Sequence, residues 1–109
     1  MYEQKDIVLI QFPYTDFSLA KKRPALILSN MSLNKIQDVI CCLVTTKPRD
    51  NDLLIEKRSF ESGKLPFKSF IRPYRIFTIN KHIIYKKLGK INNNLYDKVI
   101  SKLNEFIKR

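Results

Sequence analysis

Three consecutive cations, Lys21, Lys22 and Arg23, stand directly before the apolar run Pro24-Ala25-Leu26-Ile27-Leu28, which closes on Ser29 and Asn30. Proline disfavours the helical region for the residue before it, so Arg23 is extended. It also has no N–H for a ladder and belongs at a strand entrance or edge. A guanidinium fixed by a stiff strand, with two lysines beside it, suits the charge and forked geometry of a phosphodiester. The stretch reads as a phosphate-facing rim, with Lys21 and Lys22 adding non-specific attraction. The structural alternative for Arg23 is an ion pair with Asp6 or Asp16. Ser29 and Asn30 either line the same groove or simply end the strand. Phe17, Tyr14 and Tyr74 are available for base stacking or for packing.

Other chemistries find little support. Cys41 and Cys42 are adjacent in an apolar run, where a strand sends them to opposite faces. Their spacing fits neither a metal site nor a disulfide framework, so they read as buried structural thiols. The sole histidine, His82, lies in the turn-like Asn80-Lys81-His82 and reads as a surface residue. With only two glycines, a nucleotide-cradling loop is not expected. No metal or cofactor is expected.

The bulk composition agrees with an anionic partner. The chain has 109 residues, 21 Lys and Arg against 10 Asp and Glu, and a formal net charge of +11. Such an excess points to nucleic acid, an acidic protein or a membrane surface. No block of five like charges occurs, so the contact is expected on a folded surface. Residues 1–109 are read as one domain, able to bury about 65% of the unfolded chain's surface. No apolar run approaches the ~18 residues of a membrane span, and the N-terminus lacks the pattern of a secretory signal. The expectation is a soluble, cytoplasmic protein without membrane contact.

The elements that must position the rim follow from periodicity. Strands are predicted over residues 6–12, 24–29, 39–45, 52–56 and 83–91, with 14–19 and 59–66 as loops. Residues 68–79 are strand-rich, but Arg72-Pro73 interrupts them and predicts a bulge or an edge. Leu95, Val99, Leu103, Phe106 and Ile107 fall at helical spacing. Asn92, Asn93 and Asn94 offer N-caps. Short strands and one terminal helix predict a mainly β (α+β) fold, a small antiparallel barrel covered by that helix.

Five motifs in order, residues 6–16, 23–30, Val44-Thr45, Ile71-Arg72-Pro73 and Phe77-Thr78-Ile79, resemble the MazF/PemK-like toxins of type II toxin–antitoxin pairs. The resemblance ends with Lys87-Leu88-Gly89 and the C-terminal helix. It implies an SH3-like barrel of the class shared with CcdB, a homodimer, an acidic antitoxin partner, and metal-independent cleavage of single-stranded RNA. It further implies that Arg23 and Thr45 form the active-site core and that Arg72 is a third catalytic residue. Phe17, Lys21, Lys22, Ser29, Asn30 and Tyr74 are then the expected RNA contacts. A strand-end threonine and an exposed bulge arginine are the structural alternatives for Thr45 and Arg72. The chain departs from the family pattern at Lys5, where a glycine is usual, and at Tyr74, where an acidic residue often stands. Two rival readings are a gyrase-inhibiting toxin resembling CcdB and a non-catalytic SH3-like nucleic-acid-binding module.

Overall fold

The structure, a computed structural model of the chain, describes residues 2–11 and 22–109. The end of the first predicted strand at Phe12, the predicted loop 14–19, and the candidate contacts Phe17 and Lys21 lie outside the described residues. The strands are β1 (Asp6–Gln11), β2 (Lys22–Ile27), β3 (Asp38–Thr45), β4 (Leu53–Ile55), β5 (Phe60–Gly63), β6 (Ser69–Asn80) and β7 (Ile84–Ile91). They form one sheet in the order β4-β6-β3-β2-β1-β7-β5. Among the described residues the α-helices are α1 (Met31–Asn34) and α2 (Asn93–Ile107).

The sheet has a buried layer on each side, which is why its central strands are almost continuously apolar. One layer gathers Ile7, Leu26, Cys42, Val44, Ile71 and Ile91 with Leu95 and Val99 of α2. The other gathers Val8, Ile10, Ala25, Ile27, Val39, Cys41, Phe77, Ile79 and Ile84, all from strands. The second layer takes no residue from either helix. The two edge strands meet the first layer instead, through Ile55 of β4 and Phe60 of β5, as a sheet curling toward closure requires. Cys41 and Cys42 fall in different layers, as strand alternation requires. Both are free and buried. Burial pushes the Cys41 thiol up to about 12.

Helix α2 begins as its sequence directs. The Asn92 side chain caps it by accepting from the Leu95 N–H at 2.9 Å. The Tyr96 hydroxyl donates to the Leu28 carbonyl at 2.7 Å and ties the helix to the end of β2. Only part of its apolar stripe is covered. Leu95 and Val99 are buried, whereas Phe106 and Ile107 are exposed.

Several predicted boundaries move. The loop assigned to 59–66 contains β5, a short edge strand paired with β7. The second strand starts at Lys22 and ends at Ile27. Beyond it, Asn30 caps α1 through a bond from the Ser32 N–H at 3.0 Å. Lys5 takes the place of the family's usual glycine with the glycine-like φ of 78°. The opening turn forms nonetheless, because Lys5 N–H donates to the Ile27 carbonyl and its carbonyl accepts from Ile91 N–H. Its ammonium is held by Glu61 and Asn93.

Candidate active site

The sheet register directs Arg23 and Thr45 toward the same end of neighbouring strands. The β2–β3 ladder runs Ile27↔Cys41, Leu26↔Cys42, Ala25↔Leu43. Extrapolated two residues beyond its last pair, the same register would set Arg23 opposite Thr45. The ladder stops at Ala25, one residue past Pro24, whose nitrogen has no hydrogen to donate. The two strands therefore end as a rim, with Arg23 exposed and Thr45 half-buried. Arg23 also stands across from Ile10 in the β1–β2 ladder, so β1 braces it.

The structural alternative of an Arg23–Asp6 pair is not realised. Asp6 is buried at the other end of β1 and accepts from Glu3 N–H at 2.8 Å. Its second oxygen faces Lys87 Nζ at 3.1 Å, an ion pair without hydrogen-bond alignment. Among the described residues Arg23 makes no ion pair, and the other alternative partner, Asp16, lies outside them.

Thr45 is set up to donate. Its Oγ1 accepts from the Lys47 N–H at 3.1 Å. A hydroxyl that accepts with one lone pair keeps its own proton to give, and polarisation along the chain strengthens that donation. Lys47 and Arg49, exposed in the following loop, add positive charge beside it.

Arg72 is placed differently from Arg23. The β3–β6 ladder slips between Cys42↔Ile76 and Leu43↔Arg72, leaving residues 73–75 as the bulge that Pro73 predicted. Arg72 itself is only 5% exposed. Its Nε and Nη2 donate to the two Asp52 oxygens at 3.0 and 2.9 Å. Nη2 also donates to the Lys47 carbonyl at 3.2 Å. The Asp52 side chain is 1% exposed and accepts in addition from the Arg49 N–H at 2.8 Å. The bond to Asp52 raises the Arg72 pKa beyond its already high ordinary value.

The remaining predicted contacts scatter. Lys22 is exposed next to Arg23 and lays its Nζ 3.5 Å from the centroid of the Tyr85 ring. Tyr74, in the bulge, turns to α2 and meets Phe106 edge-on at 5.8 Å. Ser29 and Asn30 sit past the far end of β2, about 20 Å of strand away from Arg23. Ser29 joins β3 and α1 by accepting from Ile40 N–H and donating to Asn34, while Asn30 caps α1. The structure does not bring these two to the rim. His82 lies exposed in the short turn Lys81–Ile83.

Two residues at this end of the molecule were missed by the sequence reading. Tyr85 is 60% exposed, and outward alternation after buried Ile84 was its signal. Asp52 carried none, because its partner Arg72 is twenty residues away. A cavity of about 760 Å³ lies in the seam between β4 and β5, lined by Leu54, Phe60, Leu65 and Phe67 among others. None of the candidate site residues lines it.

A curled antiparallel sheet crossed by one C-terminal helix is the fold of the MazF toxins. MazF from Deinococcus radiodurans superposes with a TM-score of 0.76 at 16% identity, covering 97% of this chain and 96% of that one. An endoribonuclease in complex with its cognate antitoxin, from a mycobacterial species, gives 0.74 at 18% identity over 95% and 90%. Toxin MazF-mt6 of Mycobacterium tuberculosis gives 0.71 at 17% identity over 92% and 93%. No curated protein matches by sequence. The chain belongs to the family of PemK-like, MazF-like toxins of type II toxin–antitoxin systems, which it matches over residues 3–107.

Proposed function

We propose that this toxin is an endoribonuclease that cuts single-stranded RNA through the substrate's own 2′-hydroxyl. The observation that carries the reading is the strand-mounted guanidinium of Arg23, without an ion pair among the described residues, at the same sheet end as a threonine hydroxyl that accepts from Lys47 N–H and keeps its proton to donate. In such a reaction the 2′-oxygen bonds to the adjacent phosphorus and the P–O5′ bond breaks. The 2′-proton leaves to solvent and the 5′-oxygen gains one, giving a 2′,3′-cyclic phosphate and a 5′-hydroxyl. The protein's task is to align the 2′-oxygen with phosphorus and to stabilise charge on the phosphoryl oxygens. Arg23 does the second by direct charge, and Thr45 adds a hydrogen bond to the same phosphate. Lys22, Lys47 and Arg49 draw the RNA backbone toward the rim.

The family supports the partners as well. An acidic antitoxin segment is attracted by the same charge that attracts RNA. A homodimer is supported by Tyr74, Ile76, Phe106 and Ile107, exposed apolar groups at the end of α2 and the β6 bulge. No helix among the described residues is long and apolar enough to cross a membrane, and the reading places the toxin in the cytoplasm with its RNA.

A long unstructured transcript incubated with the purified protein in excess EDTA tests the reading. Discrete fragments with 5′-hydroxyl ends and 2′,3′-cyclic phosphates are expected. Salt-sensitive retention of intact RNA would instead favour the binding module. Intact RNA with inhibited gyrase would favour the CcdB-like reading.

A further inference from the structure

We propose that Arg72 is a positioning residue: paired with Asp52, it clamps the Lys47 peptide so that the Lys47 N–H holds the Thr45 hydroxyl toward phosphate. The inference rests on the nuclease reading for its consequence and on separate geometry for its device. Arg72 Nη2 holds the Lys47 carbonyl, and the N–H of the same residue holds Thr45 Oγ1. Only the Lys47 Cα separates those two groups, so fixing one restricts the other. Asp52 is the anchor. It closes the turn from Arg49, by an N–H bond in each direction, while gripping the Nε–Nη2 edge of the guanidinium with both oxygens. Asn51, at a left-handed φ of 74°, lets the loop bend back to make that grip.

The burial decides against a direct role. Side-chain exposures of 6% for Arg72 and 1% for Asp52 show a pair turned inward, with Nε and Nη2 already committed to Asp52 and Lys47. Reaching out to a phosphate would strand the Asp52 carboxylate inside the protein without its counter-charge. The register agrees, because Arg72 stands opposite Leu43, one same-face step inward from Thr45. Arg23 lies at the rim in line with Thr45, whereas Arg72 lies behind it.

The test is a mutant cycle on the purified full chain with a transcript it cleaves. Asp52→Asn leaves Arg72 intact and frees it. A directly acting Arg72 then keeps cleavage at or above the wild-type rate. The clamp predicts instead a fall of about 100-fold in kcat, the scale of a small misplacement of a reacting group, with KM changed less than about 3-fold. In a Thr45→Ala background, Asp52→Asn should cost nothing further, because the two changes break one device. Losses that multiply would overturn the proposal, as would Asp52→Asn cleaving normally. If Asp52→Asn does not fold, Arg72→Met/Asp52→Leu removes both charges together and the same cycle is run on it. Hydrogen exchange at the Lys47 amide is read in parallel and does not depend on activity. It should quicken in Asp52→Asn, and unchanged exchange would refute the clamp. A wild-type chain that cuts no RNA would refute the nuclease reading while this readout still judged the clamp.

Discussion

Arg23 and Arg72 show that two arginines of one sheet can have opposite physical lives. Arg23 is in water and unpaired among the described residues, so an incoming phosphate costs it little. Arg72 is desolvated and committed, and removing either partner of such a pair costs about 3–5 kcal/mol. The buried thiols are a third case. Cys41 keeps its proton to about 12 in the folded chain, against an ordinary 9.0. Burial also raises Cys42. Between those limits the folded state binds more protons than the unfolded state, so stability declines as pH rises through that window. Urea denaturation from pH 8 to pH 11 should show midpoints falling above about pH 9. Iodoacetamide should label the native thiols far more slowly than the unfolded ones. Flat midpoints with rapid native labelling would show that the thiols are open to solvent.

At the scale of elements, the edge strand β5 depends on one backbone conformation. Gly63 has φ +74°, and a Cβ there would lie 2.3 Å from the Leu88 carbonyl oxygen and 2.5 Å from Gly89 Cα. Gly63→Ala is expected to destabilise the chain by about 2–4 kcal/mol, from strain plus backbone displacement. Thermal denaturation checks it, and an unchanged midpoint would mean that β5 does not need its pairing with β7. This strand was also the one the sequence hid, since Phe60-Glu61-Ser62-Gly63 is short and mostly exposed and leaves no alternation to read. The long apolar strands, the capped helix and the Pro73 bulge were legible because each follows from local residue chemistry. The Arg23–Thr45 neighbourhood came from the family resemblance, and the register that produces it is a long-range property. Ser29 and Asn30 misled for the same reason. Their residue types suit a groove and a cap equally, and only the strand's direction sends them away from Arg23. Asp52 was hidden because nothing local marks the partner of a distant buried arginine.

At the scale of the molecule, the proposed function assigns the gathering of RNA to the net charge of +11 and its cleavage to the rim. RNA affinity should therefore fall steeply with salt, with a log–log slope of several units. Filter binding between 50 and 300 mM salt measures it, and a flat response would remove the backbone from recognition. Charge-driven gathering and site chemistry are separable. Arg23→Ala removes one of 21 cations and lowers that slope by only about 1.

The central claim, that the Arg23 guanidinium performs phosphate stabilisation at this rim, is tested most directly by single-turnover cleavage of one transcript in EDTA. Wild type and Arg23→Ala are compared at saturating protein, with circular dichroism confirming that both are folded. A loss of about 10²–10³-fold in the cleavage step is predicted, with native stability within about 0.5 kcal/mol because the side chain is exposed. Cleavage by Arg23→Ala at the wild-type rate would contradict the account.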